Sequence, residues 1–513
     1  MPLTKTIRLI LGDQLNEHHS WFAALDDSVL YVLMEIRQET DYVQHHIQKV
    51  AAFFAAMRAF SEKLSARGHR VVYLQIGDPE NRQNIADNLS WIIEKEGARR
   101  FEYLAPDEYR LDRQLRKTAD ALGIDWQVYD TEHFLTGRED LGRFFAGKKT
   151  FRMESFYRHM RKTHGILMNG TDPAGGRWNY DVKNRQPYDG KVPAPAPLLF
   201  ENEAAAIFEE IQAAGVATFG KMTGERLIWP VDRGQSLALL DDFISRRLPY
   251  FGTFQDAMAA DQWELFHSRL SFSLNTKMLH PAEVIDAAVS AWKREKEMIG
   301  IEQVEGFVRQ ILGWREYMRG IYWHLMPKLE NMNFFGHKAK LPNFYWTGKT
   351  KLSCMAAAVG QSLEKAYAHH IQRLMVTGNF ALLAGVDPAK VDAWYLGVYI
   401  DAIQWVELPN TRGMSQWADG GLIATKPYVS AARYIDKMSD YCVDCAYDKK
   451  DRTGDRACPF NSLYWDFFAR HRDKLAKNPR IGMMVRTWDR MKPAEQEKTL
   501  ARAAGLKRNL DGL

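Results

Sequence analysis

The residues of this chain best placed to do chemistry are its four cysteines. Three fall in one run, Cys442-x2-Cys445-x12-Cys458-Pro459, and the fourth is Cys354. Four thiolates satisfy one tetrahedral zinc or one cubane [4Fe–4S] cluster, with none left over. The Cys-x-x-Cys pair lets two ligands from one turn reach the same metal site, and a Cys-Pro step also ends the bacterial ferredoxin pattern. The bland alternative is four unrelated buried thiols, which would have to fall on metal-like spacing by accident. On spacing alone, zinc and the cluster both stay open.

Three further stretches carry reactive side chains. In His267-Ser268-Arg269-Leu270-Ser271, hydroxyls and backbone N–H groups at a helix start suit phosphate oxygens, although serines there most often only cap. In Tyr367-Ala368-His369-His370-Ile371-Gln372-Arg373, two adjacent histidines on a helix point about 100° apart. They suit proton donation better than shared metal ligation, with an ordinary histidine as the bland reading. From Val391 to Tyr434 the sequence gathers Trp394, Tyr395, Asp401, Trp405, Glu407, Asn410, Trp417, Tyr428 and Tyr434. Asp401 and Glu407 flank apolar sequence, where an ionised carboxylate needs a partner, and Arg373 is a candidate.

The elements that must position these groups divide in two. Residues 1–130 alternate strand and helix: Thr6–Gly12, Val29–Ile36, Arg70–Ile76, Phe101–Leu104 and Trp126–Tyr129 read as strands. Val43–Arg67, Asn81–Glu94 and Glu108–Leu122 read as helices. That pattern predicts an α/β domain with a mostly parallel sheet and ligands at the carboxyl ends of its strands. The loop Gly12-Asp13-Gln14-Leu15 lacks the Gly-x-Gly-x-x-Gly of a pyrophosphate turn. Residues 131–200 read as a long connector, ending in Val-Pro-Ala-Pro-Ala-Pro, with a basic aromatic patch at Phe151–Arg161. Residues 201–513 read as one large all-helical domain, from apolar spacings such as Val304–Met318, Ala356–Met375 and Ala389–Val406.

Composition narrows the class without naming it. The 513 residues are 46% apolar and 26% charged, ordinary for a globular protein, with no apolar run of membrane length and no signal-peptide pattern. A cytoplasmic protein is expected. The net charge of +5 leaves polyanion binding to local clusters such as Arg158, Arg161, Lys162 and Arg185, which read equally well as solvated surface charge. Fifteen Trp and 21 Tyr serve a core, an electron path or base stacking alike.

Taken together, these features resemble the photolyase/cryptochrome family. Gln310-Ile311-Leu312-Gly313-Trp314-Arg315-Glu316-Tyr317 looks like its Trp-Arg-Glu-aromatic helix, and Ser268-x-Leu270-Ser271 like its flavin-phosphate loop. With the four cysteines, Gly12–Leu15, Met153-x-x-Phe156-Tyr157-Arg158 and His369–Met375, the resemblance narrows to the iron–sulfur bacterial cryptochromes and photolyases, the prokaryotic (6-4) photolyases, across essentially the whole chain.

The resemblance implies FAD in the helical domain, with Ser268, Leu270 and Ser271 on its phosphates and Arg373 and Asp401 beside the ring. Glu407 takes the place where typical photolyases carry an Asn at flavin N5. His370, with His369 beside it, stands where (6-4) photolyases keep a proton donor, and Tyr428 and Tyr434 lie near the lesion. Trp346, Trp394 and Tyr395 match the electron path. Cys354, Cys442, Cys445 and Cys458 then hold [4Fe–4S] rather than zinc. Asp13, Glu39 and Tyr42 hold a 6,7-dimethyl-8-ribityllumazine antenna. The implied partner is UV-damaged DNA, met by a monomer. Repair of a (6-4) product must return an oxygen between two bases and so needs an acid, whereas splitting a cyclobutane dimer does not. A cryptochrome that signals without repair is the competing reading. A nuclease or primase component would need a carboxylate cluster for Mg2+ that the sequence does not offer.

Overall fold

The computed structural model describes residues 4–222 and 224–513. Five short strands run parallel: β1 (Thr6–Leu9), β2 (Val29–Met34), β3 (Val71–Leu74), β4 (Arg100–Leu104) and β5 (Asp125–Tyr129). Their spatial order is β3-β2-β1-β4-β5. β1 pairs on both sides, Thr6 standing opposite Val29 of β2 and Arg100 of β4. β2 is buried along its whole length, as a central parallel strand covered on both faces must be. Because the strand order reverses between β1 and β4, a crevice opens at their carboxyl ends.

Helices α1 (Ile47–Ala66), α2 (Ile85–Glu96) and α3 (Tyr109–Ala121) cover the sheet. α1 starts later than its apolar spacing predicts because His45–His46 pairs with Thr218–Phe219 as a short strand. His46 then caps the helix, its ring accepting from the Gln48 N–H.

The 131–200 segment is more than a connector. Helix α4 (Met153–His164) buries Phe156, Tyr157 and Met160 in the same core as the helical domain. The same helix corrects one expectation. Arg161 is fully buried and donates to the carbonyls of Ile166, Leu167 and Trp178. It braces a turn and is not open to phosphate.

The expected start of an all-helical part at 201 is corrected: Thr218–Phe219 pairs with His45–His46, and Ile207, Phe208, Ile211 and Leu227 pack in one core with Val29, Tyr31 and Leu33 of β2, so the helical part begins later. Its predicted helices are also interrupted. Ile301–Val308 runs into a widened π turn, Arg309–Arg315, before Glu316–Leu325. Helix α5 (Ser271–Asn275) follows the Ser268 loop. Helix α6 (Ser353–Lys365) stops at Ala366, which takes a left-handed φ of 51°, and a π turn at Gln372–Gly378 follows. Helix α7 (Pro388–Val398) and helix α8 (Gln404–Pro409) are separated by an irregular segment carrying Asp401. Helix α9 (Pro459–Arg470) begins immediately after Cys458. The breaks put backbone groups and charged side chains where continuous helices would bury only apolar faces. Gly397 lets α7 approach the α/β domain: a Cβ there would collide with the Gln44 carbonyl.

Candidate functional site

The 399–403 segment is the centre of the helical domain's polar interior. Arg373 donates to Asp401 through both terminal nitrogens, at 2.9 and 3.1 Å, and Ser271 donates to the same carboxylate at 2.6 Å. Arg373 and Asp401 thus meet as a pair, and Ser271, expected at phosphate, joins them. Burial works against the Arg373 charge, and Asp401 followed by Tyr399 more than offsets it, so the pKa is raised. The Asn275 side chain fixes the Asp401 carbonyl at 2.8 Å.

The Ser268 loop is shaped by the residue between its expected phosphate contacts. Arg269 takes a left-handed φ of 54° and turns its guanidinium inward, onto Glu264 and over Trp263. Ser268 and Ser271 stay partly open, while Leu270 is buried.

Glu407 is buried beneath this region. One oxygen accepts from the Thr411 hydroxyl at 2.5 Å, and the other has no partner. Burial, then the nearby Asp392 carboxyl, pushes its pKa well above the usual carboxylate range. Asp392 itself is ion-paired to Arg412 at 2.6 Å, and burial pushes it up to about 7. A carboxyl kept neutral in this way can exchange a proton with a neighbouring nitrogen.

Trp394, Tyr395, Tyr345 and Tyr399 form a connected series, while the ring of Trp346 packs instead on Phe219, 5.0 Å away. Trp346 is 40% exposed, while Trp394 is fully buried and donates its indole N–H to the Tyr345 carbonyl at 3.0 Å. Trp394 packs 5.4 Å from Tyr395 and 5.8 Å from Tyr399, and the Arg373 guanidinium lies 3.8 Å from the Tyr399 ring centre. Tyr345 and Tyr399 escaped the sequence reading. The signal was the position of Tyr399, one helical turn after Tyr395 and two residues before Asp401.

The two histidines are not on one helix face. His369 precedes the helical turn, is buried, and receives no help from a cap of its own; instead the Gln372 side chain accepts from its N–H. His370 is open to solvent, yet burial, followed by Arg373 and Arg185, pushes its pKa down to about 4. Arg185 acts electrostatically on His370, and Arg185 and Asp256 act on Tyr428 and Tyr434, which puts these side chains in one neighbourhood. Arg185 is ion-paired to Asp181 at 3.3 Å.

A second concavity occupies the crevice between β1 and β4. It holds about 950 Å³ of free space out to its open mouth, and Asp13, Glu39 and Tyr42 all line it. Glu39 is held by Arg110 at 2.7 and 2.9 Å. Asp13 is pushed up to about 6, chiefly by burial. Two lysines missed in the sequence cross between the domains here. Lys277, from beyond α5, bonds the Asp13 carbonyl at 2.6 Å and the Asp107 carboxylate at 2.7 Å. Lys49, from α1, bonds the carbonyls of Leu396 and Ala402 at 2.6 and 2.7 Å. A lysine inside an otherwise apolar helix face was the available signal.

The four cysteines converge, all as free thiols. Burial, then Cys458, Cys442 and Cys445, raises the Cys354 pKa, so all three are within electrostatic reach of it. Among the described residues, no group of three or more His, Cys, Asp or Glu is disposed to hold a metal ion.

A parallel sheet with a crevice at its switch point, joined to a helical body with an Arg–Asp pair and an aromatic series, defines the class. The solved structures agree. A bacterial class III photolyase from Agrobacterium tumefaciens has the same fold, with a TM-score of 0.57, 16% identity, and 99% of this chain and 98% of that one covered. A Synechocystis cryptochrome does too, at 0.52 and 14%, with 99% of each covered. A model for deoxyribodipyrimidine photo-lyase-related proteins matches residues 8–227. The chain is also 44% identical over 511 residues to the (6-4) photolyase of Agrobacterium fabrum, covering 98% of this chain and 99% of that one. The chain belongs to the photolyase/cryptochrome family, in the bacterial group that includes that (6-4) photolyase.

Proposed function

We propose that this protein is a blue-light-driven DNA photolyase that reverses (6-4) pyrimidine–pyrimidone photoproducts. The observation that carries the reading is the grouping of His370, Tyr428 and Tyr434 around Arg185, which we take as the lesion recess, in a chain similar throughout to a (6-4) photolyase. The residues present fit FAD, which when bound and reduced supplies the electron on illumination. Ser268 would offer its hydroxyl and Leu270 and Ser271 their N–H groups to phosphates, the Ser271 hydroxyl being committed to Asp401, and the Arg373–Asp401 pair would border the ring. Glu407, neutral in its buried position, holds a proton facing N5.

The histidines serve the lesion. His370 borders the recess, and His369 behind it fixes the backbone from which it projects. In the free protein His370 is neutral, and the phosphates of a bound DNA strand favour its protonated form. A flipped lesion is then met by an imidazolium placed to protonate the oxygen that must migrate. The tyrosines bound the recess with apolar faces and hydroxyls.

Cys354, Cys442, Cys445 and Cys458 hold a [4Fe–4S] cluster in this reading, in a structural role. The β1/β4 crevice takes the lumazine antenna, with Asp13, Glu39 and Tyr42 on its polar edge. UV-damaged DNA is the partner, and the protein works as a monomer.

The test is blue-light repair of a defined (6-4) thymine dinucleotide by the flavin-reduced protein, beside a cyclobutane dimer and a His370→Ala variant. Recovery of the (6-4) substrate alone, lost in the variant, is expected. Repair of the cyclobutane dimer instead would overturn the lesion assignment, and repair of neither would leave a signalling cryptochrome.

A further inference from the structure

The segment between α7 and α8 is a partition with a different occupant on each side. Its Asp401 carboxylate faces Arg373 and Ser271. Its Ala402 and Ile403 line the crevice beside β1 and β2. Lys49 also lines that crevice and is 95% buried, with an exposure of only 5%. Among the described residues no carboxylate lies within ion-pair distance of it, so its ammonium is hydrogen-bonded only by two carbonyls, those of Leu396 and Ala402. Leu396 lies in the last turn of α7, where carbonyls lack intrahelical partners and a cation is favoured. An ammonium has three donors, and two are used here. The third has no protein acceptor among the described residues, and Lys49 borders the crevice.

We propose that Lys49 is a positioning residue that couples the two chambers: through Leu396 and Ala402 it fixes the segment carrying Asp401, and its remaining N–H serves an acceptor atom of whatever heterocycle occupies the crevice. A ligand that takes up this N–H stiffens the Lys49–Ala402 link, and with it the position of the Asp401 carboxylate. Burial lowers the lysine's pKa to about 8, with Glu108, Asp401 and Glu407 opposing, so the ammonium form persists at neutral pH. By linkage, the ligand on either side then alters the affinity of the other by the same factor.

The inference rests on reading the chambers as flavin and lumazine sites. The test titrates 6,7-dimethyl-8-ribityllumazine into the full-length protein, with FAD bound and after FAD removal, for the wild type and Lys49→Met. In the wild type FAD should change the lumazine Kd by about fivefold or more. In Lys49→Met the two Kd values should agree within about twofold. An unchanged ratio in the variant, or equal Kd values in the wild type, overturns the coupling. A wild type that binds neither FAD nor lumazine overturns the reading of the chambers instead, and the coupling with it. Should Lys49→Met fail to fold, hydrogen exchange on the wild type decides: lumazine should slow the amides of Ile400 and Ala402 several-fold, and unchanged exchange there overturns the proposal.

Discussion

The imidazole of His267 lies face to face on that of His369, with ring centres 4.4 Å apart and planes within 12° of parallel. His267 directly precedes the Ser268 loop, and His369 directly precedes His370. The stack therefore ties the expected flavin-phosphate loop to the recess. Two parallel imidazoles at this distance cannot both carry charge without strong repulsion.

That stack predicts a pH-dependent stability. Burial, then His370 and Arg247, pushes His267 down to about 3, below its ordinary value of 6.5. Between those values the unfolded chain binds a proton that the folded chain refuses, so stability falls as pH drops below about 6.5. His267→Phe keeps the stacked ring and removes the titration. Its melting temperature should gain on the wild type from pH 7 to pH 5, with a ceiling of about 2 kcal/mol at the lower pH. Asp13 and Asp256, both raised to about 6 by burial, work in the opposite sense in both proteins and cancel in the difference.

Asp401→Asn should cost more than its small chemical change suggests. The Arg373 guanidinium, one-fifth exposed, would be left with a neutral partner, a loss of about 1–3 kcal/mol. Thermal unfolding reads the stability, and bound flavin per chain should fall at least several-fold. Full flavin content and an unchanged melt would remove the pair from the site.

Glu407 should behave as a neutral acid. Its pKa is raised by burial and by Asp392, so the proton is bound by the folded chain and released by the unfolded one above about pH 4.5, and stability declines as pH rises. Glu407→Gln should flatten that decline and leave stability at neutral pH within about 1 kcal/mol, because the amide can still accept from Thr411. A large loss in the Gln variant would show an ionised carboxylate instead.

Iron and zinc assignments for the cysteines separate by elemental analysis. The protein purified without oxygen should contain iron and acid-labile sulfide. Cys354→Ser and Cys458→Ser should each lose most of both, along with stability. Stoichiometric zinc without sulfide would restore the tetrahedral alternative.

Arg161 and its neighbours should divide by readout. Arg161→Gln leaves backbone carbonyls unpaired, each worth about 1–3 kcal/mol, and should lower the melting temperature without changing the salt dependence of DNA binding. Lys162→Gln on the exposed side of the same helix should leave the melt alone and reduce the salt slope by about one if it meets a phosphate.

Much of this architecture was legible because it rests on patterns of two periods. The five strands announced themselves as short apolar runs, and all five are present within a few residues of their expected ends. Arg373 and Asp401 meet as a pair, since charged side chains flanking apolar sequence have few other ways to be satisfied, whereas the bond from Ser271 to the same carboxylate was not foreseen. What remained hidden depends on breaks. Ala366 adopts a left-handed backbone that nothing in its residue type announces, and this takes His369 off the helix. Arg161 looked basic and exposed, but its partners are carbonyls, which every sequence supplies and none advertises. Lys49 and Lys277 were hidden because their meaning lies in contacts across the two domains, and Tyr399 because its partner Arg373 comes from a separate turn of the chain.

Lys49 and Lys277 also determine how this chain can be divided. Each domain lends the other one buried cation and holds the acceptors for its neighbour's. Cutting the chain in the 131–200 segment would leave each half with a lysine deprived of its acceptors and the facing half with polar groups bared. The halves are thus not interchangeable modules: an α/β unit grafted from a relative would have to bring its own lysine at the right depth, or forfeit the register between the two chambers.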